Sequence, residues 1–279
     1  AGVSDPFTEA TGIAIRHDLT EDNEIQPRIW AAVAQNRVPP IHINWDTTTN
    51  ATKSALRGVT EDLPLHRMGF APYSTSKADA EEILRAASGR RKGFSTVAIR
   101  PPFIWGPDMP MLDHMVQTVK SGQFSWVAGG GQALSTCHVE NLCHALILAA
   151  DRGQEGAAYF VSDNVDTTLK TFLTHLLATR GVQPGRRAVP FGVAWTMAGI
   201  MGTVWRLLRL KGEPPITRQM LRLIGKDFTV DISRAQRDLG YAPVLSPEDG
   251  LRLMAQPAFH ARGSAPTSRQ GALNASAEA

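Results

Sequence analysis

The stretch from Pro72 to Pro107 constrains this chain most. From Lys77 to Ala87, apolar residues fall at Ala80, Ile83, Leu84 and Ala87, the spacing of one helix face, and Gly89 and Gly93 stop the run. Ser95 to Arg100 (STVAIR) then reads as a short buried strand, ended by Pro101-Pro102. A helix joined by a tight connection to a buried strand is the rhythm of a parallel sheet crossed over by helices, so an α/β fold is expected.

Other segments keep that rhythm. Gly12 to Asp18 alternates weakly and reads as a strand, Ile29 to Gln35 as a helix stopped by Pro39-Pro40, and Ile41 to Trp45 as a strand. The Thr-rich run from Asp46 to about Arg67 reads as a loop. Further helices are expected at Met111 to Ser121, Asn141 to Ala150 and Leu169 to Thr179, where Leu169, Phe172, Leu173, Leu176 and Leu177 share a face. Gly129-Gly130-Gly131 marks a turn and Ala158 to Val161 a strand. Ser246-Pro247-Glu248-Asp249 is a helix start: a capping Ser, Pro in the first turn, and acids beside the positive end of the helix dipole. From Ala255 the composition predicts a disordered tail. The expected organisation is a partial Rossmann-type domain over 1–160, a small substrate lobe over 161–254 interleaved with it, and the tail over 255–279.

Composition excludes several classes. A net charge of +3 with no basic stripe argues against nucleic acid. The two cysteines, Cys137 and Cys143, form no CxxC pair and no His/Cys cluster, so no metal is expected. They read as small buried hydrophobes in a reducing, cytoplasmic setting. His138 and His144 read as core or capping residues, Glu81 and Glu82 as solvent-facing. No GxSxG is present, which disfavours an α/β-hydrolase. The chain opens on Ala, so the natural start is expected upstream. Val189 to Trp205 carries no charge, and Arg206, Arg209 and Lys211 follow it. It reads first as a buried or substrate-covering helix, then as a helix lying on a membrane surface, and last as a span, for which it is short of the roughly 20 residues needed.

Tyr73 and Lys77 stand four residues apart where loop turns to helix, and so share a face. A phenol ionises near 10, too high to exchange protons readily at neutral pH; a neighbouring ammonium favours the phenolate. Such a Tyr can take the proton of an alcohol as hydride leaves the carbon. Spacing alone more often marks an ordinary helix start.

Several blocks occur together and in order. Pro72 to Ala78 with Glu81, Arg100 to Pro107 (RPPFIWGP), His138-Val139-Glu140-Asn141 with Ala145, Tyr159 to Asp163, Gly212 to Arg218, and Asp231-Ile232-Ser233 through Tyr241 span about residues 70–254. In this combination the chain resembles the extended short-chain dehydrogenases, and among them the 3β-hydroxysteroid dehydrogenase-like branch. The resemblance implies NAD or NADP as cofactor and a small lipophilic substrate, steroid-like or alkyl-keto acid in type. It implies Tyr73 as general acid/base, Lys77 as its tuner and ribose contact, and Thr49 (with Thr48 next) as holder of the substrate oxygen, against a plain solvated loop. Pro102 and Phe103 would line the nicotinamide, unless Pro102 only ends a strand, and Asp18 would contact adenine. A homodimer and a peripheral membrane contact through 189–210 stay open.

The family's opening strand and GxxGxxG turn, whose glycines admit a pyrophosphate at a helix N-terminus, have no counterpart in residues 1–72. The first βαβ unit is therefore expected to be missing. Three readings compete: a fragment of an ordinary enzyme, a relative without hydride chemistry, and a reduced site completed by a partner. Alternatives in function are a nucleotide-sugar epimerase or dehydratase of the same superfamily, and a non-catalytic scaffold on a dehydrogenase fold.

Overall fold

The computed structural model describes residues 42–43, 56–65, 67, 72–90, 94–107, 109–208, 214 and 216–256; the side chains of His42, Ile43, Pro72, Tyr73 and Pro110 are outside that description. The elements begin with β1 (His42–Ile43), β2 (Leu56–Val59), α1 (Pro72–Ala87), β3 (Ala98–Arg100), β4 (Phe103–Trp105) and α2 (Pro110–Lys120). They continue with β5 (Trp126–Val127), β6 (Ala133–Leu134), β7 (Thr136–His138), α3 (Val139–Arg152), β8 (Ala158–Phe160), β9 (Thr167–Thr168) and α4 (Leu169–Ala178). The last are β10 (Ala188–Val189), α5 (Phe191–Leu207), α6 (Arg218–Ile224), β11 (Phe228–Val230), α7 (Ser233–Leu239) and α8 (Pro247–Met254).

The parallel α/β rhythm read from the sequence is present. β1, β3 and β8 pair in parallel in that order, with Ile43 opposite Ile99 and Ile99 opposite Tyr159. Ala98, Ile99 and Arg100 are all buried, as is every residue of β8. Burial without alternation is the mark of a strand covered on both faces. One core joins this sheet to α3 and α7 through Ile99, Leu146, Tyr159, Ala235 and Leu239. A second gathers Trp105, Leu112, Trp126, Phe172 and Leu176 between α2 and α4.

Local sequence explains the helix starts. Thr168, Thr217 and Ser246 accept the backbone N–H of Thr171, Met220 and Asp249, each at 3.1 Å, and so cap α4, α6 and α8. Gly240 ends α7 at φ 68°, a left-handed conformation that suits glycine.

Three expectations change. Leu56–Val59, expected as loop, is a strand paired in parallel with β11. Only its two end residues are apolar, so the local signal is weak. Pairing decides the outcome: Leu56 N donates to Asp227 O at 3.0 Å, and Arg57 meets the Asp227 carboxylate at 2.8 Å. Glu81 does not face solvent; it is fully buried against Arg100, whereas Glu82 is exposed. The helix in the uncharged run is buried on one side only, through Ala194 and Ala198, while Val193, Met197, Ile200 and Val204 are exposed. The strand expected at Gly12 to Asp18, the helix at Ile29 to Gln35, the absence of a first βαβ unit, and the tail from 257 lie outside the described residues.

Candidate active site

The site is set by how α1 lies against β3. Thr96, just before β3, donates from Oγ1 to Leu84 O at 3.0 Å, and its N–H donates to Ser88 Oγ at 3.0 Å. Arg100, the last residue of β3, reaches Glu81, earlier in α1. Later strand positions thus meet earlier helix positions, so α1 runs antiparallel to β3. The start of α1 therefore lies toward the carboxyl end of β3. Lys77 and Tyr73 lie about 6 and 12 Å before Glu81 at the rise of a helix. Pro101 and Pro102 end β3, and β4 starts at Phe103 in a separate pairing with β7. Lys77 is half-buried, Pro102 buried, and Phe103 half-buried with its ring edge-on to Phe172 at 5.8 Å.

Arg100 holds this register. Its Nε and Nη2 donate to the two Glu81 carboxylate oxygens at 3.1 and 2.5 Å, its Nη1 to Glu61 O at 3.2 Å, and its guanidinium stacks 5.6 Å from the Phe160 ring. A two-point guanidinium–carboxylate contact fixes orientation as well as distance.

A second anchor sits one layer away. The buried Asp163 carboxylate accepts four bonds: His138 N–H at 2.6 Å and Asn141 Nδ2 at 2.7 Å on one oxygen, Trp105 Nε1 and Thr136 Oγ1 at 2.7 Å each on the other. Asn141 also donates to Leu245 O and accepts from the N–H of Val244 and of Leu245, tying in the chain before α8. β4, β7 and the start of α3 thus converge on Asp163, and the C-terminal segment joins them through Asn141. His138 accepts from Glu140 N–H at 3.2 Å and lies edge-on to Trp105 at 4.6 Å. Burial pushes its imidazole below the ordinary range, against the pull of Asp163. His138 is the core and capping residue the sequence suggested, and Cys137 and Cys143 are buried thiols pushed up by burial, Cys143 to about 11.

Tyr73 and Lys77 both belong to α1, and Pro102 and Phe103 lie just past β3. Thr49, Thr48 and Asp18 lie outside the described residues, as does the Tyr73 side chain. Sequence reading missed Glu81, Arg100 and Asp163 as positioning residues. The signal for the first two was available: an acid on the apolar face of a helix and an Arg ending an otherwise apolar strand call for each other, since neither is buried unpaired.

Residues 47–191 match the profile of the 3-beta hydroxysteroid dehydrogenase/isomerase family. The chain is 35% identical over 227 residues to 4-hydroxy-2-methyl-3-oxo-4-farnesyl-3,4-dihydroquinoline-1-oxide ketoreductase of Stigmatella aurantiaca, covering 81% of this chain and 67% of that one. It is 32% identical to 2-alkyl-3-oxoalkanoate reductase of Stenotrophomonas maltophilia, over 69% of this chain and 59% of the relative. It is 28% identical to the decarboxylating sterol-4-alpha-carboxylate 3-dehydrogenase of Dictyostelium discoideum, over 75% and 62%. The chain thus spans about three fifths to two thirds of the length of these relatives. Among solved structures it is similar to dTDP-glucose 4,6-dehydratase of Bacillus anthracis in complex with NAD (TM-score 0.57, 16% identity, 84% of this chain and 65% of that one). It is equally similar to UDP-glucuronic acid 4-epimerase of Bacillus cereus in complex with NAD (TM-score 0.57, 16% identity, 86% and 67%). At that identity these two likenesses concern the Rossmann-type fold. The profile match and the ketoreductase similarity, taken with the helix-to-strand register described above, establish that the chain belongs to the 3-beta hydroxysteroid dehydrogenase/isomerase family.

Proposed function

We propose that this chain carries the catalytic part of an NAD(P)-dependent oxidoreductase that interconverts hydroxyl and carbonyl on a lipophilic substrate. The observation that carries the reading is the register of α1 on β3, which sets the start of α1, with Tyr73 and Lys77, toward the carboxyl end of a parallel strand. Crevices at that end of parallel sheets are where such folds take ligands. The relatives named for ketoreductase, reductase and dehydrogenase activities on farnesyl-quinoline, alkyl and sterol compounds support the lipophilic class.

The residues present fit the nicotinamide end of a dinucleotide. Phe103 offers a half-exposed ring braced from behind by Phe172, and Lys77 a half-buried ammonium. A bound nicotinamide cofactor supplies or takes up the hydride. Lys77 holds the ribose hydroxyls and keeps the Tyr73 phenol easier to ionise. In reduction the Tyr73 hydroxyl gives its proton to the carbonyl oxygen; in oxidation it takes the proton back. Thr49 donates a hydrogen bond to the same oxygen, Asp18 contacts the adenine end, and Pro102 backs the ring. The division into a catalytic part over 1–160 and a substrate lobe over 161–254 belongs to the same reading. So do a reducing, cytoplasmic setting for the two buried thiols and a second copy as partner.

A sugar-nucleotide substrate fits less well. Its diphosphate needs guanidinium groups turned toward it. In the lobe Arg218 lies over the Trp195 ring at 5.3 Å, beside the apolar α5.

The test is a titration with NADH and NADPH followed by nicotinamide fluorescence, then turnover on a 2-alkyl-3-oxoalkanoate and a 3β-hydroxysteroid. Binding in the micromolar range with turnover that Tyr73→Phe lowers by about 10²-fold or more supports the reading. Turnover unchanged in Tyr73→Phe sinks the assignment, and absence of binding with either cofactor favours a non-catalytic role.

A further inference from the structure

Between Thr167 and Gly212 the chain has no Asp or Glu; this stretch holds seven of the 29 cations and none of the 26 acids. The molecule's modest net charge thus hides a strongly cationic stretch. The same stretch contains α5, whose outer side is apolar. Val193, Met197, Ile200, Val204 and Leu207 recur every three or four residues, and with Leu208 they are 39 to 76% exposed. The inner side packs on α6 through Ala194, Ala198 and Leu221. Cations bracket the helix. Arg186 and Arg187 are exposed just before β10, and Arg206 is exposed in the last turn, with Arg209 and Lys211 next in sequence.

An apolar stripe of this size on a soluble surface marks a contact. The bracketing charges identify the partner. A second copy laid on the stripe would set Arg186, Arg187 and Arg206 against like charges from its own mate, which disfavours pairing. A surface that is apolar below and anionic above satisfies both features at once. The apolar side chains enter the acyl boundary while the arginines stay at the headgroups. Among the described residues no helix is long and apolar enough to cross a membrane. At about 25 Å, α5 is long enough to lie in the interface.

We infer that α5 and its flanking arginines form a peripheral docking face for membranes rich in anionic lipid. The inference does not depend on the oxidoreductase reading. The chain is floated with phosphatidylcholine vesicles, with and without phosphatidylglycerol, at low and high salt. Binding to the phosphatidylglycerol vesicles is expected, falling about tenfold in high salt and in Arg186→Glu/Arg187→Glu. Met197→Glu/Ile200→Glu should lose binding by a similar factor while keeping the wild-type circular dichroism and melting temperature, since both side chains are exposed. No flotation with either vesicle, or equal flotation with both, overturns the inference. So does a dimer on size-exclusion chromatography that Met197→Glu/Ile200→Glu dissociates, because the face would then belong to a second copy.

Discussion

Arg100 and Glu81 meet through two nearly parallel hydrogen bonds with 2% and 0% of their side chains exposed, locking the end of β3 to the middle of α1. Taking both charges from water is costly, so the pair itself is a weak source of stability. Its value is registry: it fixes how far α1 slides along β3, and therefore where the start of α1 stands relative to the carboxyl end of the strand.

That division of labour predicts a non-additive series. Glu81→Gln should cost about 3–5 kcal/mol in urea denaturation, because it leaves the Arg100 guanidinium buried without its carboxylate, and Arg100→Met should cost less, since Arg85 stands 3.8 Å from Glu81. Glu81→Leu/Arg100→Met should recover most of that loss. If the double variant is as unstable as the sum of the singles, the pair contributes stability directly and the registry account fails.

Asp163 is a buried acid with no cation beside it in its hydrogen-bond set; four donors take that place. Asp163→Asn keeps the shape but turns an NH₂ toward two N–H or O–H donors, stranding at least one of them. The expected cost is about 2–4 kcal/mol, since a buried network that is partly unsatisfied is worse than none. A cost below about 1 kcal/mol by thermal or chemical melting would mean that the neighbours rotate to new partners.

His138 gives the fold a pH dependence of known sign. Burial holds its folded-state ionisation below the ordinary 6.5. As pH falls the unfolded chain takes up this proton first. The contribution is therefore complete above about 6.5 and is lost as pH drops from there toward the folded-state value. His138→Asn can still accept from Glu140 N–H but does not titrate. The difference in urea midpoint between wild type and variant should shrink between about pH 8 and pH 5. A constant difference across that range would refute the assignment.

Local sequence carried the long elements and not the short ones. The helices at 72–87, 139–152 and 169–178 were legible because each repeats an apolar face over several turns. β4, β6, β7 and β11 are two or three residues long, too short for any periodicity. They exist because distant backbone groups pair, as Ser135 N–H does with Phe228 O at 3.2 Å. Tyr73 and Lys77 could be proposed as a catalytic pair from spacing and resemblance. Asp163 could not, since its four partners come from three places in the chain. Glu81 was misread because a charge on a helix is ordinarily solvated, and only the tertiary meeting with Arg100 reverses that expectation.

Two glycines in helices should respond to the same substitution with opposite sign. Gly202 in α5 has open space where a Cβ would stand. Gly202→Ala should therefore stabilise by about 0.5–1 kcal/mol, the gain from a stiffer unfolded chain and better helix propensity. Gly250 in α8 is buried, and a Cβ there would stand 2.7 Å from the Trp105 ring and 3.1 Å from the His138 ring. Those rings are held by Asp163 through the Trp105 indole and the His138 backbone, so they yield little. Overpacking costs about 1–3 kcal/mol, more than the propensity gain, and Gly250→Ala should be destabilising. A melting temperature raised by both substitutions would show that the Trp105 and His138 rings are not fixed by the Asp163 anchor.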